Sequence, residues 1–126
     1  TKAIAKALRH HPTTNEKARI FQALRVAVND ELEGLRMALP MLLGALRPGG
    51  VLVVISYESL TDRVAKEAFR SWSRECVCPP GPPLRVCRGR ALGQMAAKGA
   101  LRPSDAEVAD NPRARSARLR AWRKAA

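Results

Sequence analysis

The sequence predicts an α/β fold of which only part is present, and three observations carry that reading. Residues 51–55, Val-Leu-Val-Val-Ile, are an uninterrupted apolar run, too short for a helix and introduced by the turn Pro48-Gly49-Gly50, which is the pattern of a strand. On both sides of it lie stretches whose apolar residues step by three or four, the spacing of helices that cover a sheet. A strand apolar along its whole length is expected inside a parallel sheet, buried on both faces and paired on both edges. Yet no second run of comparable apolar strength occurs in the 126 residues. Most of the sheet is therefore expected elsewhere, and with Thr1 opening inside what reads as a basic segment, the chain is expected to be the carboxy-terminal portion of a larger α/β protein.

The length suffices for one domain with a core, and a 46% hydrophobic content is ordinary for a globular chain. The formal net charge of +12 is not ordinary, and its excess is mostly arginine. The planar guanidinium suits phosphate, so an anionic partner is expected, nucleic acid first. A membrane surface fits less well, because there is no basic amphipathic helix with an aromatic edge and no apolar run of spanning length. The first residues lack the apolar core of a secretory signal, and three cysteines are an odd number for a disulfide framework. A reducing cytoplasm is the expected setting.

Taken in order, residues 1–8 suit a short basic helix, ended by a polar loop, His10-His11-Pro12-Thr13-Thr14-Asn15, that holds helix-capping residues. The adjacent histidines have no cysteine or carboxylate at ligand spacing and point apart, so no metal is expected there. From Glu16 to Leu46 a long helix is expected, with one face (Phe21, Leu24, Val28, Leu32, Leu35, Leu39, Leu46) on a core. Pro40 should kink it or begin a second helix. Gln22, Arg25 and Asn29 share a polar side, either a solvated face or one wall of a ligand crevice.

Ligands of parallel sheets gather beyond the carboxyl ends of the strands. That end here is Ser56-Tyr57-Glu58-Ser59, and the helix predicted over residues 60–72 begins just past it, with Ser59 or Thr61 as cap. Free amides and the helix dipole favour an anion or electron-rich group there. Asp62 and Arg63 fall in the first turn, where Asp62 is either a dipole-favoured charge or part of the crevice. Residues 75–90 are rich in proline and glycine and form a loop. Its Cys76, Cys78 and Cys87 lack a fourth ligand and have the wrong spacing for structural zinc, so free thiols are expected. Residues 91–100 carry no clear signal. Ser104 with Glu107 forms a capping box before a short acidic helix ending at Asn111-Pro112. In residues 113–124 arginines alternate with small or apolar residues, which allows an edge strand with a basic face or a frayed basic helix. In either form such arginines touch phosphate or simply solvate a terminus, and the net charge favours phosphate. No hydrolytic triad, paired carboxylates or phosphate-binding glycine loop is present, and Gly49-Gly50 precede the strand, the wrong side for cradling a cofactor.

Three stretches carry a resemblance. Phe21-Gln22-Ala23-Leu24-Arg25-Val26 with Val28-Asn29-Asp30-Glu31-Leu32 is the first. Arg47-Pro48-Gly49-Gly50 through Ile55-Ser56 to Ser59-Leu60-x-Asp62-Arg63 is the second, and Asn111-Pro112-Arg113-Ala114-Arg115-Ser116-Ala117-Arg118-Leu119-Arg120 the third. In order and spacing they resemble the carboxy-terminal part of the RsmH (MraW) family, S-adenosyl-methionine-dependent methyltransferases of the N4 amine of a cytidine in small-subunit ribosomal RNA. The resemblance implies the carboxy-terminal part of a Rossmann-like class I methyltransferase sheet with flanking helices, its amino-terminal half absent. Residues 1–15 would end a helical insert or linker, and residues 16–126 would hold the fifth strand and the last two, weaker strands, with 75–100 as a variable loop region.

On the same basis the cofactor, S-adenosyl-methionine, is expected to bind upstream of this chain, since the family's glycine-rich turn is missing, and the fragment alone is expected to be inactive. Ser56, Tyr57, Glu58 and Ser59 are expected at the target base, where the family's usual Ser-Phe-His-Ser has become Ser-Tyr-Glu-Ser. Gln22, Arg25, Asn29, Asp62 and Arg63 are expected to bind substrate, and Arg113, Arg115 and Arg118 to contact RNA phosphate. The partner is small-subunit ribosomal RNA or the small subunit itself, with no metal and no membrane. A non-catalytic basic RNA-binding or ribosome-associated module would also account for the charge and the tail, and a partner-binding scaffold for the helix over residues 16–46.

Overall fold

A computed structural model describes residues 2–76 and 89–126. The chain forms two compact units, Thr1–Gly34 and Leu35–Ala126. The first unit holds α1 (Lys2–Leu8), α2 (Thr14–Asn29) and the opening turn of α3 (Glu31–Ala45). Thr13 caps α2 through a complete capping box: its hydroxyl accepts from the Glu16 amide at 3.2 Å, and the Glu16 carboxylate accepts from the Thr13 amide at 2.8 Å. That bond from the Thr13 amide, more than any other contact, holds the Glu16 carboxyl below the usual range.

Two expectations for this region are corrected. The long helix breaks at Asp30, not at Pro40: Asp30 takes a left-handed φ of 52° as the C-cap of α2, and α3 restarts at Glu31 with Pro40 inside it. A short polar side chain tolerates the left-handed region, whereas Pro40 removes one amide donor and crowds the carbonyl four residues back without ending α3. The apolar stripe of α2 also lies uncovered: Phe21, Leu24 and Val28 are exposed and the helix buries no residue. Helical spacing reports which residues share a face; it does not report what covers them.

The second unit is built on a three-stranded sheet. Gly50 donates to the Arg47 carbonyl at 2.9 Å with Gly49 at φ +74°, a type II turn that needs Pro48 and a glycine where they stand. It launches β1 (Val51–Ser56), which leads into α4 (Ser59–Trp72), then β2 (Gly93–Met95), α5 (Asp105–Asp110), a 3-10 segment (Pro112–Ser116) and β3 (Arg118–Lys124). Strand order is β1-β3-β2, with β3 antiparallel to both neighbours and registers running from Val51↔Arg123 to Ser56↔Arg118 and from Gly93↔Lys124 to Met95↔Trp122. β1 and β2 therefore run parallel, separated by the last strand.

The strands correct three expectations. β1 is not buried on both faces: Leu52 and Val54 are half-buried, while Val51, Val53 and Ile55 are 41%, 50% and 56% exposed. α4 packs on one face of the sheet, and no described element covers β1 on the other. Its one described neighbour is antiparallel and leaves its second edge unpaired among the described residues. The basic tail is a strand, but a central one, and it turns Arg120 and Trp122 inward.

The core lies between α4 and the inward face of β3. Val64, Ala65, Phe69 and Trp72 are the buried side of α4, and Trp122 is fully buried against them. Ring centroids stand 5.6 Å apart for Phe69 and Trp72, and 5.2 Å for the edge-on pair of Trp72 and Trp122, the geometry aromatic quadrupoles favour. The Trp122 Nε1 donates to Ser73 Oγ at 3.0 Å, and that hydroxyl donates to the Phe69 carbonyl at 2.8 Å, so the buried indole is satisfied. A Cβ on Gly93 would run into the Arg123 carbonyl and the Trp122 ring. Glycine is what lets β2, a three-residue strand with no sequence signal, approach β3. Lys124 Nζ donates to the carbonyls of Leu43 at 3.1 Å and Leu46 at 2.6 Å, closing the carboxyl end of α3 as a cation there should.

Ser104 caps α5 as expected, accepting from the Glu107 amide at 3.2 Å. Neither Ser59 nor Thr61 caps α4. The N-cap is Glu58, whose side chain makes no cap bond, and Thr61 Oγ1 donates at 3.0 Å to the Glu58 carbonyl. Cys76 is exposed, and Cys78 and Cys87 lie outside the described residues.

Candidate functional site

Strand β1 delivers its last residues to the amino end of α4. Ser56 is buried and its hydroxyl donates to the Arg118 carbonyl at 3.5 Å. Tyr57 projects into solvent, 59% exposed, and Glu58 is half-buried at the helix entrance. The Glu58 side chain makes no cap bond to the amides of this 14-residue helix, and the positive end of α4 is directed at whatever lies beyond the strand.

One turn into α4, Asp62 is buried and grips the last strand. Its Oδ1 accepts from Arg120 Nε at 2.6 Å, and its Oδ2 accepts from Arg120 Nη2 at 3.0 Å and from Arg118 Nη1 at 3.1 Å. The bonds from Arg120 hold the Asp62 carboxyl below the usual range, with Arg118 adding to them and burial opposing. Two guanidiniums on one carboxylate leave an excess positive charge. The Arg118 side chain, 37% exposed, carries it to the surface.

That surface is a cavity of about 290 Å³ lined by Tyr57, Ser59, Arg102, Arg115, Ser116, Ala117 and Arg118. A second cavity, of about 190 Å³, shares Tyr57, Arg102 and Ala117 with it and is lined as well by Ile55, Leu101, Ala114 and Leu119. Arg102 and Arg115 are exposed and hold no ion pair with another described residue. The end of β1, the amino end of α4 and the approach to β3 thus form a basic depression beside an apolar one, an arrangement suited to a phosphate next to a flat ring.

Residues 1–125 match the sequence profile of the MraW methylase family. The chain belongs to that family. Among its relatives is the ribosomal RNA small subunit methyltransferase H of Gemmatimonas aurantiaca, 57% identical over 108 residues, which are 86% of this chain and 34% of the relative. The protein of the same name from Thermomicrobium roseum is 50% identical over 113 residues, 90% of this chain and 33% of the relative. That from Syntrophotalea carbinolica is 47% identical over 116 residues, 92% and 36%. The chain spans about a third of the length of these curated relatives.

In this MraW-family chain Tyr57, Ser59, Arg115 and Arg118 line one cavity, and Ser56, Glu58 and Asp62 stand at the adjoining strand end and first helical turn. Arg63 is exposed in that turn and lines neither of the two cavities, nor does Arg113, exposed on the 3-10 segment. Gln22, Arg25 and Asn29 belong to the first unit, where Glu31 gathers two of them: Arg25 Nε lies 3.2 Å and Asn29 Nδ2 3.1 Å from its Oε1. Sequence reasoning missed Arg102. Its only signal was its place beside Pro103, where the chain turns into α5, and isolated surface arginines abound in a chain this basic. No group of three or more metal-binding side chains occurs among the described residues, and none of the described helices is long and apolar enough to cross a membrane.

Proposed function

We propose that this chain is the carboxy-terminal part of an S-adenosyl-methionine-dependent methyltransferase that modifies the N4 amine of a cytidine in small-subunit ribosomal RNA. The observation that carries the reading is the basic cavity where the end of β1, the amino end of α4 and Arg115 and Arg118 meet, in a chain whose relatives bear the name of a small-subunit RNA methyltransferase. The unpaired edge and uncovered valine face of β1 support its place within a larger Rossmann-like sheet, β2 and β3 being the two weaker strands.

The cofactor supplies an electrophilic methyl group, and among the described residues the one glycine pair that could approach it, Gly49 and Gly50, is spent in the turn before β1. Its site is assigned upstream, and this chain without it is inactive. What these residues contribute is the nucleophile's side. A cytosine amine is a poor nucleophile because its lone pair is delocalised into the ring, so the base must be held in line and its amine proton given an acceptor. Glu58, at the helix entrance, is the acceptor, Ser59 orients the base edge, and buried Ser56 positions both through its bond to the β3 backbone. Tyr57 offers its exposed ring to a base, and Arg115 and Arg118 hold phosphate while the target leaves its stack. Asp62 acts by fixing Arg118. Substrate roles for Arg63, Arg113, Gln22, Arg25 and Asn29 are proposals to be tested separately.

In a protein of the relatives' full length, Glu58→Gln lowers turnover on small-subunit particles roughly 10²- to 10⁴-fold, and Arg25→Ala weakens substrate use. Unchanged turnover in both removes them from the site. A second reading, a basic RNA-binding module without catalysis, rests on the same arginine-lined cavity. Calorimetry separates the two: a protein extended upstream that binds RNA but not S-adenosyl-methionine favours the module.

A further inference from the structure

The two neighbouring cavities ask for more than an undifferentiated basic surface. The larger has three guanidiniums around it, two serines, and the uncapped positive end of α4 at Ser59, which is the environment of a phosphate. The smaller is lined largely by apolar side chains, Ile55, Leu101, Ala114 and Leu119 among them, which suits the face of a nucleobase. Tyr57, Arg102 and Ala117 line both. The spacing of the two is therefore set by shared side chains, as a phosphate and a base are set by one sugar.

We infer that the paired cavities are a subsite for a single ribonucleotide of the RNA, its phosphate against Arg102, Arg115 and Arg118 and its base against Tyr57. The inference rests on the RNA reading given above and assigns within it a nucleotide flanking the one that reacts. Arg102 joins the phosphate-binding set, and Arg113, which lines neither cavity, stays outside it. Arg118 is held in place from behind by Asp62 at 3.1 Å, so its charge is preorganised. Arg102 and Arg115 approach from the segments before α5 and before β3, and neither is used in an ion pair among the described residues. Stacking on an exposed aromatic ring tolerates any base, while the arginines read only backbone charge. The subsite thus grips RNA without choosing sequence.

The test is fluorescence anisotropy of the full chain with a labelled single-stranded RNA over a salt series. Arg102→Ala and Arg115→Ala each weaken binding and each lower the slope of log affinity against log salt by about 0.7 to 1. Arg70→Ala, on the last turn of α4, serves as the control and changes neither. Tyr57→Ala weakens binding roughly ten-fold at an unchanged salt slope, and the loss vanishes on an abasic strand. If the parent chain binds RNA but Arg102→Ala and Arg115→Ala match it in affinity and slope, the subsite is overturned and the RNA reading stands. Should Tyr57→Ala be silent and heparin bind as RNA does, the cavity is a general anion site and the nucleotide assignment falls. If the parent chain binds no RNA at any salt, the RNA reading and the subsite fall together.

Discussion

Arg120 Nε lies 2.6 Å from Asp62 Oδ1, a buried ion pair joining the first turn of α4 to the central strand of the sheet. Removing the carboxylate leaves Arg120, 10% exposed in its side chain, as an uncompensated buried charge. Asp62→Ala is expected to cost about 3 to 5 kcal/mol, read as a shift in the urea midpoint. A midpoint within experimental error of the parent would show that Arg120 reaches water when its partner is gone.

Acid should act through the same pair. The carboxyl of Asp62 is held below its ordinary value in the folded chain, chiefly by Arg120, so the folded state binds its proton less readily than the unfolded one. The stabilisation is therefore complete above the unfolded value, about 3.9, and is lost as pH falls from there through the folded value. Melting temperature should drop below pH 4 more steeply in the parent than in Asp62→Asn. Parallel acid profiles for the two proteins would assign the loss to other carboxylates.

Gly93→Ala should detach β2. Its methyl would meet the Arg123 carbonyl and the Trp122 ring, backbone and core rather than the end of a flexible chain. A loss of about 1 to 3 kcal/mol with a change in tryptophan emission is expected, since Trp122 lies under the strand. Gly44→Ala, where an added methyl meets nothing within 4 Å inside α3, is the control: it should leave tryptophan emission unchanged and, if anything, stabilise by up to about 1 kcal/mol.

Ser73→Ala removes the acceptor of the Trp122 indole, a 3.0 Å bond in the core. The cost is about 1 to 3 kcal/mol. Ser73→Thr, which keeps the hydroxyl, should recover most of it in the same denaturation series.

Val53→Lys addresses the uncovered face of β1. Val53 is 50% exposed, so in this chain the change should stay within about 0.5 kcal/mol. In a protein of the relatives' length, where helices of the proposed larger fold cover that face, it should destabilise by several times as much. Equal effects in both would leave the face open in the longer protein too.

Elements whose identity depends on local chemistry were legible in the sequence. The turn before β1 needed Pro48 and Gly49, Ser104 stood ready to cap α5, and α4 formed where a helix was predicted over residues 60–72. Features set by tertiary contact were not. β2 is too short to carry a period and exists because Gly93 lets it lie on Trp122. The tail's alternation left strand and helix open, and its arginines looked like a surface, whereas Asp62 at a separation of 58 residues draws Arg120 inward. The strand end was marked as a candidate site from its position after an apolar run. Arg102 was not, because nothing local distinguishes an arginine that lines a cavity from one that faces bulk water.

The position of β3 between β1 and β2 has a consequence for synthesis. A ribosome makes residues 51–56 and 93–95 first, yet each gains its described partner only when residues 118–124 emerge. Through that interval Val-Leu-Val-Val-Ile waits with an open edge and an apolar face, a segment prone to pair with the wrong strand. The β3-facing edge of that segment therefore stays open from its own synthesis until residues 118–124 arrive to close it.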